Sequence, residues 1–372
     1  MDQYVDLISI TPVNRERGRW ITETFARTPR ELWDEVAPSI ANTDALASLD
    51  HDARRKLVAA LRTARMYITS PPMSSRLPFS YQAIPGPIRR IVAKGIGRLR
   101  RSQSAKWARF PAFPIDLTTD ALSDLILGDE PLNDPTPVIV THDIDTSEGE
   151  QNLPLFLEIE ESLGARSTNF VVPFKWNLDH GLLERTINAG HEIGVHGYDH
   201  GNQTPYMQPE MMARRFDQTK PFIERYRCRG YRAPTLLRTR ELLAELALRF
   251  DYDSSVPTSG GLFPAPNNGC ATARPFRAEG IWEIPLSMPR DAGLMFLGYG
   301  PEEIECHMLD SARLIRASGG VVVLLTHCEK VYSGNRIMLD TYRRILSSLA
   351  GDGGYRFMTM SEYHNTYLRG RQ

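Results

Sequence analysis

The stretch Pro137–Glu150, PVIVTHDIDTSEGE, begins as an apolar run and then sets two aspartates, Asp143 and Asp145, around Ile144. A short apolar run bounded by polar residues reads as a strand buried on both faces, the kind found in parallel sheets. Two carboxylates at the end of such a strand need a reason, because a charge beside a buried strand must be paired, solvated or bound to a cation. The bland reason is a helix cap, a role open to Asp145 or Thr146. The sharper one is chemistry, with Ile144 expected to turn the two carboxylates in different directions.

Working outward from this strand, apolar runs alternate with amphipathic ones. After PVIVTH come a helix NLPLFLEIEESLG, the strand RSTNFVVP, a helix LDHGLLERTINAG and the strand HEIGVHG. Then follow a helix over 209–226, RGYRAP, a helix TRELLAELALRF, YDSS, GIWEIPLS, a helix over 301–319 and VVVLLTHC. Strand then helix, repeated, implies a parallel sheet covered on both faces. Some seven units in about 230 residues favour a closed (β/α) barrel over an open sheet. No GxGxxG follows the first strand, which argues against a dinucleotide site.

A break near Phe110–Asp116 separates this barrel, 116–372, from a mainly helical extension, 1–115. Helices are expected there over 15–26, 28–37 and 43–68, with Thr28 and Thr43 as caps. Across all 372 residues the net charge is only −1, yet no acidic residue occurs between Asp52 and Asp116, a span that holds fourteen Lys and Arg. That span should meet an anion, either external or from the acid-rich segments around it. A composition of 41% hydrophobic and 24% charged residues is that of a soluble globular protein, with no apolar run long enough to span a bilayer and no secretory-type start. A cytoplasmic protein is therefore expected. The four cysteines lack CxxC spacing and read as reduced thiols.

The strand ends are polar: THDID, GVHGYDHGN, YRAPT and LLTHCE. In parallel barrels chemistry sits at these ends. His196 and His200, four apart, bring two imidazoles to one side of a tight turn, and with Asp145 they make a His₂Asp set that leaves positions open for water and substrate.

VIVTHDID, GHEIGVHGYDHG, GYRAPT and VVVLLTH, in this order on alternating strands, resemble the polysaccharide deacetylase or NodB-homology family, carbohydrate esterase family 4. The resemblance runs from about Thr136 to Tyr363. It implies a distorted (β/α)₇ barrel that hydrolyses an acetyl or formyl group from an amino sugar, using zinc or another divalent ion such as Co²⁺, Mn²⁺ or Ni²⁺. It implies Asp145, His196 and His200 as metal ligands, Asp143 as general base, Arg232 as the group that holds the base, and His327 as general acid oriented by Asp253. Thr235 stands where a tyrosine is common in the family, which leaves its backbone N–H as an oxyanion donor, and Trp282 is expected to line the sugar site.

The same constellation can cleave an O-acetyl ester, and a non-catalytic carbohydrate-binding barrel is the further alternative; the latter predicts a lost base, ligand or acid, and none is missing. Nucleic acid is not expected, because the stretch 89–110 interleaves only Trp107 and Phe110 as stacking aromatics. The substrate is expected to be an intracellular, phosphorylated or lipid-linked amino sugar held in part by 89–109, with contact between that segment and an anionic membrane as its second use.

Overall fold

The computed structural model describes residues 49–76, 86–107, 114–128, 135–260, 263–264 and 268–371. The helices expected over 15–26 and 28–37, and the caps Thr28 and Thr43, lie outside these residues.

Among the described residues nine strands form one sheet: β1 Thr136–Ile144, β2 Ser167–Val171, β3 Glu192–Val195, β4 Gly230–Tyr231, β5 Tyr252–Asp253, β6 Phe276–Ala278, β7 Ile281–Glu283, β8 Val322–His327 and β9 Tyr355–Phe357. Their order is β6-β7-β5-β4-β3-β2-β1-β8, with β9 pairing the first residues of β1. All neighbours run parallel except the β6–β7 hairpin. The gap between β7 and β8 is closed by irregular chain. Ile284 and Leu286 donate to the carbonyls of Asp253 and Val256, and Met288 donates to that of Val323. The expected barrel is present, and it is distorted because one of its staves is not a regular strand.

Helices α4 Ser147–Ser162, α5 His180–Asn188, α6 Pro209–Tyr226, α7 Arg240–Leu246, α9 Pro301–Ala317 and α10 Arg336–Gly351 surround the sheet. The short α8, Asp291–Leu297, follows the closing segment. All nine residues of β1 are buried, as the apolar run required. Its side chains alternate between two cores: Val138, Val140 and Ile144 pack with the helices, while Ile139 joins Phe170, Val323 and Leu325 inside the barrel.

Ahead of the barrel lie α1 His51–Thr63, α2 Gly86–Trp107 and α3 Thr118–Leu127. The α1 helix is capped by Asp50 and buries Leu57 and Val58. The chain after it is tied to the barrel, with Ile68 N–H donating to the Arg238 carbonyl at 2.8 Å and Tyr67 hydroxyl to Glu279 at 2.8 Å. The α2 helix lies on α8, so closely that a Cβ at Gly97 would overlap the carbonyl of Phe296.

Candidate active site

The inner column of β1 runs Ile139, Thr141, Asp143 and then Asp145. Residues two apart on a strand share a face, so Ile144 does not send the two carboxylates apart. It turns into the helix layer, and both aspartates aim at the barrel mouth. His196 Nε2 lies 3.2 Å from Asp145 Oδ1 and 3.7 Å from Asp143 Oδ2. Thr146 takes the capping role, its hydroxyl accepting from Gly149 N–H at 3.1 Å, which leaves Asp145 for other work.

Asp145, His196 and His200 converge, with one ligand atom from each lying within 4.8 Å of the others. Asp145 Oδ1 is buried and accepts no hydrogen bond, although His196 Nε2 and His200 Nε2 stand 3.2 and 3.1 Å away. His196 Nδ1 donates to the Arg232 carbonyl at 3.0 Å, which leaves the Nε2 lone pair facing the carboxylate. Electron-pair donors that converge in a buried site repel one another unless a cation lies between them. The residues therefore fit a divalent ion, and three ligands leave positions open. The turn that brings His200 round is strained: His200 has φ 60°, and Gly197, at φ 72°, faces Pro234 where a Cβ would clash.

Arg232 is fully buried and donates to Asp143 Oδ1 at 3.0 Å, to Thr141 Oγ1 at 2.8 Å and to the carbonyl and hydroxyl of Ser254, each at 3.0 Å. Its guanidinium lies 4.3 Å from the centre of the Phe170 ring. These bonds fix the guanidinium, which presents one N–H to Asp143 Oδ1 beside the histidine pair.

His327 stands opposite Asp143, the two being register partners on β8 and β1. Its Nδ1 donates to Asp291 Oδ1 at 2.9 Å, and its backbone N–H donates to Asp291 Oδ2 at 2.9 Å. Burial alone would lower the imidazolium, but Asp291 outweighs it, and His327 is pushed up to about 10. Ser333 hydroxyl also donates to Asp291, at 2.7 Å.

Asp253, expected to orient His327, does not touch it. It accepts from Ser255 hydroxyl at 2.7 Å, and that hydroxyl in turn accepts from Ala233 N–H at 2.8 Å, so Asp253 braces the loop carrying Arg232. The reason is sheet order: β5 lies four strands from β1, whereas the closing segment delivers Asp291 beside β8. Burial raises Asp253, and burial with Asp253 beside it raises Glu283, its register partner, so the pair is poised to share a proton. Trp282 also departs from expectation. It packs inside the barrel with Tyr252 and Ile284, and Arg277 stacks 5.0 Å from its ring. Thr235, at φ 52°, sits in the loop after Arg232 with its hydroxyl donating to Asn202 Oδ1 at 3.0 Å.

Three residues at the mouth receive no role in the sequence reading, although Glu329 ends the quoted LLTHCE. They are Asp291, the Tyr332 ring 5.1 Å from that of His327, and Glu329, which burial and Asp145 push up to about 7 while it accepts from Thr146 hydroxyl at 2.7 Å. A polar residue after the strand-like GIWEIPLS was the available signal for Asp291.

Residues 133–252 match the family model described as polysaccharide deacetylase. Over this stretch, about a third of the chain, the sequence is similar to that family, in line with the NodB-homology resemblance. No curated protein matches the chain. Among solved structures, a protein from Mycobacterium smegmatis assigned as a polysaccharide deacetylase is 19% identical with a TM-score of 0.52, covering 64% of this chain and 91% of its own. PuuE allantoinase is 14% identical with a TM-score of 0.52, covering 69% of this chain and 99% of its own. At such identities the likeness is one of fold.

Proposed function

We propose that the deacetylase domain, 116–372, is a metal-dependent hydrolase that removes an N-acetyl or N-formyl group from an amino sugar carried on an intracellular phosphorylated or lipid-linked intermediate. The observation that carries this reading is the facing pair of Asp143, held by Arg232, and His327, held by Asp291, on adjacent strands beside the Asp145–His196–His200 cluster.

Asp145, His196 and His200 would hold the ion, with zinc the favoured metal. Bound there, it would supply Lewis acidity toward a water and the acyl carbonyl. Asp143 takes the proton of the attacking water, and Arg232 holds its carboxylate in place through the bond to Oδ1. The Thr235 backbone N–H lies on the loop suited to steady the developing oxyanion. His327 Nε2 protonates the leaving nitrogen. A histidine whose charged form is stabilised by Asp291 favours the amide over the ester, because an amine leaves only when protonated, whereas an alkoxide of a sugar is helped less.

Two observations support the substrate class. The basic α2 lies against α8, the helix that begins with Asp291, so it sits beside the acid wall of the mouth. All four cysteines are free thiols, in keeping with a reducing compartment. The basic segment 89–109 is the part proposed to help hold the anionic end of the substrate. Release of acetate or formate from a panel of nucleotide-linked, lipid-linked and free amino sugars tests the proposal. Turnover of esters alone, or of none, would overturn it.

A further inference from the structure

The α2 helix has two opposed faces. At about 100° per residue, Gly97 lies about 180° round from Ile88, whereas Ile88, Ile91, Val92, Ile96 and Leu99 fall within an arc of about 140°. The Gly97 face is docked. Its backbone meets Phe296, and from the same side Arg101 donates to the Gly298 carbonyl at 2.9 Å and covers the Tyr299 ring at 4.4 Å. The aliphatic face consequently points away from the barrel, and its five residues are 52, 72, 55, 45 and 59% exposed.

The flanks of this stripe are basic on both sides, Lys94 and Arg98 on one and Arg100 on the other. All three are exposed, and among the described residues none forms an ion pair. The helix contains no acidic residue. A helix turned to water would carry mixed charges there, and a face for a second folded protein would not ring its apolar centre with one sign of charge. An exposed aliphatic stripe edged by cations matches the boundary of an anionic bilayer, with hydrocarbon in the centre and phosphate at both edges. No helix among the described residues is long and apolar enough to cross a membrane, so the fit is to the surface.

We propose that α2 is an interfacial helix that seats the protein on an anionic lipid surface with the mouth of the barrel beside it. The path from helix to mouth is short. Gly97 packs on Phe296, whose ring lies 6.1 Å from that of Tyr332, which lies 5.1 Å from that of His327. The inference builds on the lipid-linked branch of the proposed function, since a soluble enzyme meets a lipid-linked sugar only at the membrane.

Flotation of the full chain with vesicles of phosphatidylcholine, alone or mixed with phosphatidylglycerol, tests it. The protein should rise with the mixed vesicles and stay behind with the neutral ones. Each basic residue near such a surface is worth a factor of about five in partitioning, so Arg98→Gln with Arg100→Gln should weaken binding about 30-fold. Ile91→Asn with Leu99→Asn should also release the protein from the vesicles, while its thermal unfolding midpoint stays unchanged. Failure of the parent to float, or variants that float as well as the parent, would overturn the proposal. So would a parent dimer that the Ile91→Asn, Leu99→Asn pair turns into monomer, or an apolar stripe found covered by residues 1–48 in hydrogen exchange. Flotation reads no turnover, so a protein that binds vesicles but deacetylates nothing refutes the functional reading and leaves this one standing.

Discussion

The substitution Asp291→Asn should move the alkaline limb of the pH–rate profile while leaving the acid side nearly intact. The amide would keep a carbonyl for His327 Nδ1 at the present 2.9 Å but remove the negative charge that leads the groups raising the imidazolium to about 10. Without it, burial is opposed only by the more distant Asp145 and Asp143, and His327 falls toward its ordinary 6.5. The sign follows from the role: the protonated form is the working acid, so rate is lost as pH rises through the histidine's value. At pH 8.5 the parent acid is about 97% protonated and the variant about 1%, a loss of about 100-fold, whereas at pH 6 the loss is less than about twofold. The assay is kcat/KM between pH 5 and 10 on an N-acetyl substrate and on an activated aryl acetate, whose leaving group needs no proton. The ester should show a far smaller alkaline loss. An unmoved alkaline limb, or an equal loss at every pH on both substrates, would refute the assignment of Asp291 and His327 as an acid pair.

Elemental analysis should find about one divalent ion per chain, lost in His196→Ala, and equal metal in both proteins would remove the cluster from consideration. Asp143→Asn should retain the ion and lose turnover by about 10²- to 10⁴-fold, whereas Asp145→Asn loses both; the reverse pattern would exchange their roles. Asp253→Asn should leave the alkaline limb in place, because Asp253 braces Ser255 and Ala233 and does not meet His327. Gly97→Val should lift α2 from Phe296 and speed proteolysis within 86–107 without changing metal content; unchanged cleavage would mean that the close approach at Gly97 is not what holds the helix.

The parts of the molecule that were legible in the sequence are those written in local pattern. The all-apolar run of β1, the strand–helix alternation and the histidines four apart each carry their geometry within a few residues, and each is found where expected. What was not legible depends on closure of the sheet. The chain between β7 and β8 is irregular, so no periodicity announced that Met288 would bond Val323 or that Asp291 would arrive at His327. Asp253 was attractive because it stands at a strand end, but a two-residue strand on the far side of β4 cannot reach β8. The expectation that Trp282 lines the sugar site rests on the family resemblance, whereas its ring packs with Tyr252 and Ile284. Gly97, which looks like a weakness in an amphipathic helix, is the point at which that helix touches the barrel.

The Asp-Ile-Asp arrangement shows how one strand can divide two roles between like residues. Asp143 and Asp145 face the same way, so direction cannot distinguish them; depth and partners do. Asp143 lies a step further into the barrel, where Arg232 reaches it and His327 stands opposite in register. Asp145 lies one step past the end of β1, beyond the guanidinium, and what it meets there is a pair of imidazole nitrogens brought in by the turn after β3. An arginine holds a carboxylate as a charged acceptor without occupying both oxygens, which suits a base, whereas a carboxylate oxygen left without a hydrogen bond between two imidazoles suits a ligand. Exchanging the two by moving the guanidinium would require moving β4, since Arg232 is fixed by Val195 and Ser254 on either side. The proposed division of labour therefore rests on the register of three strands and not on the two aspartates themselves.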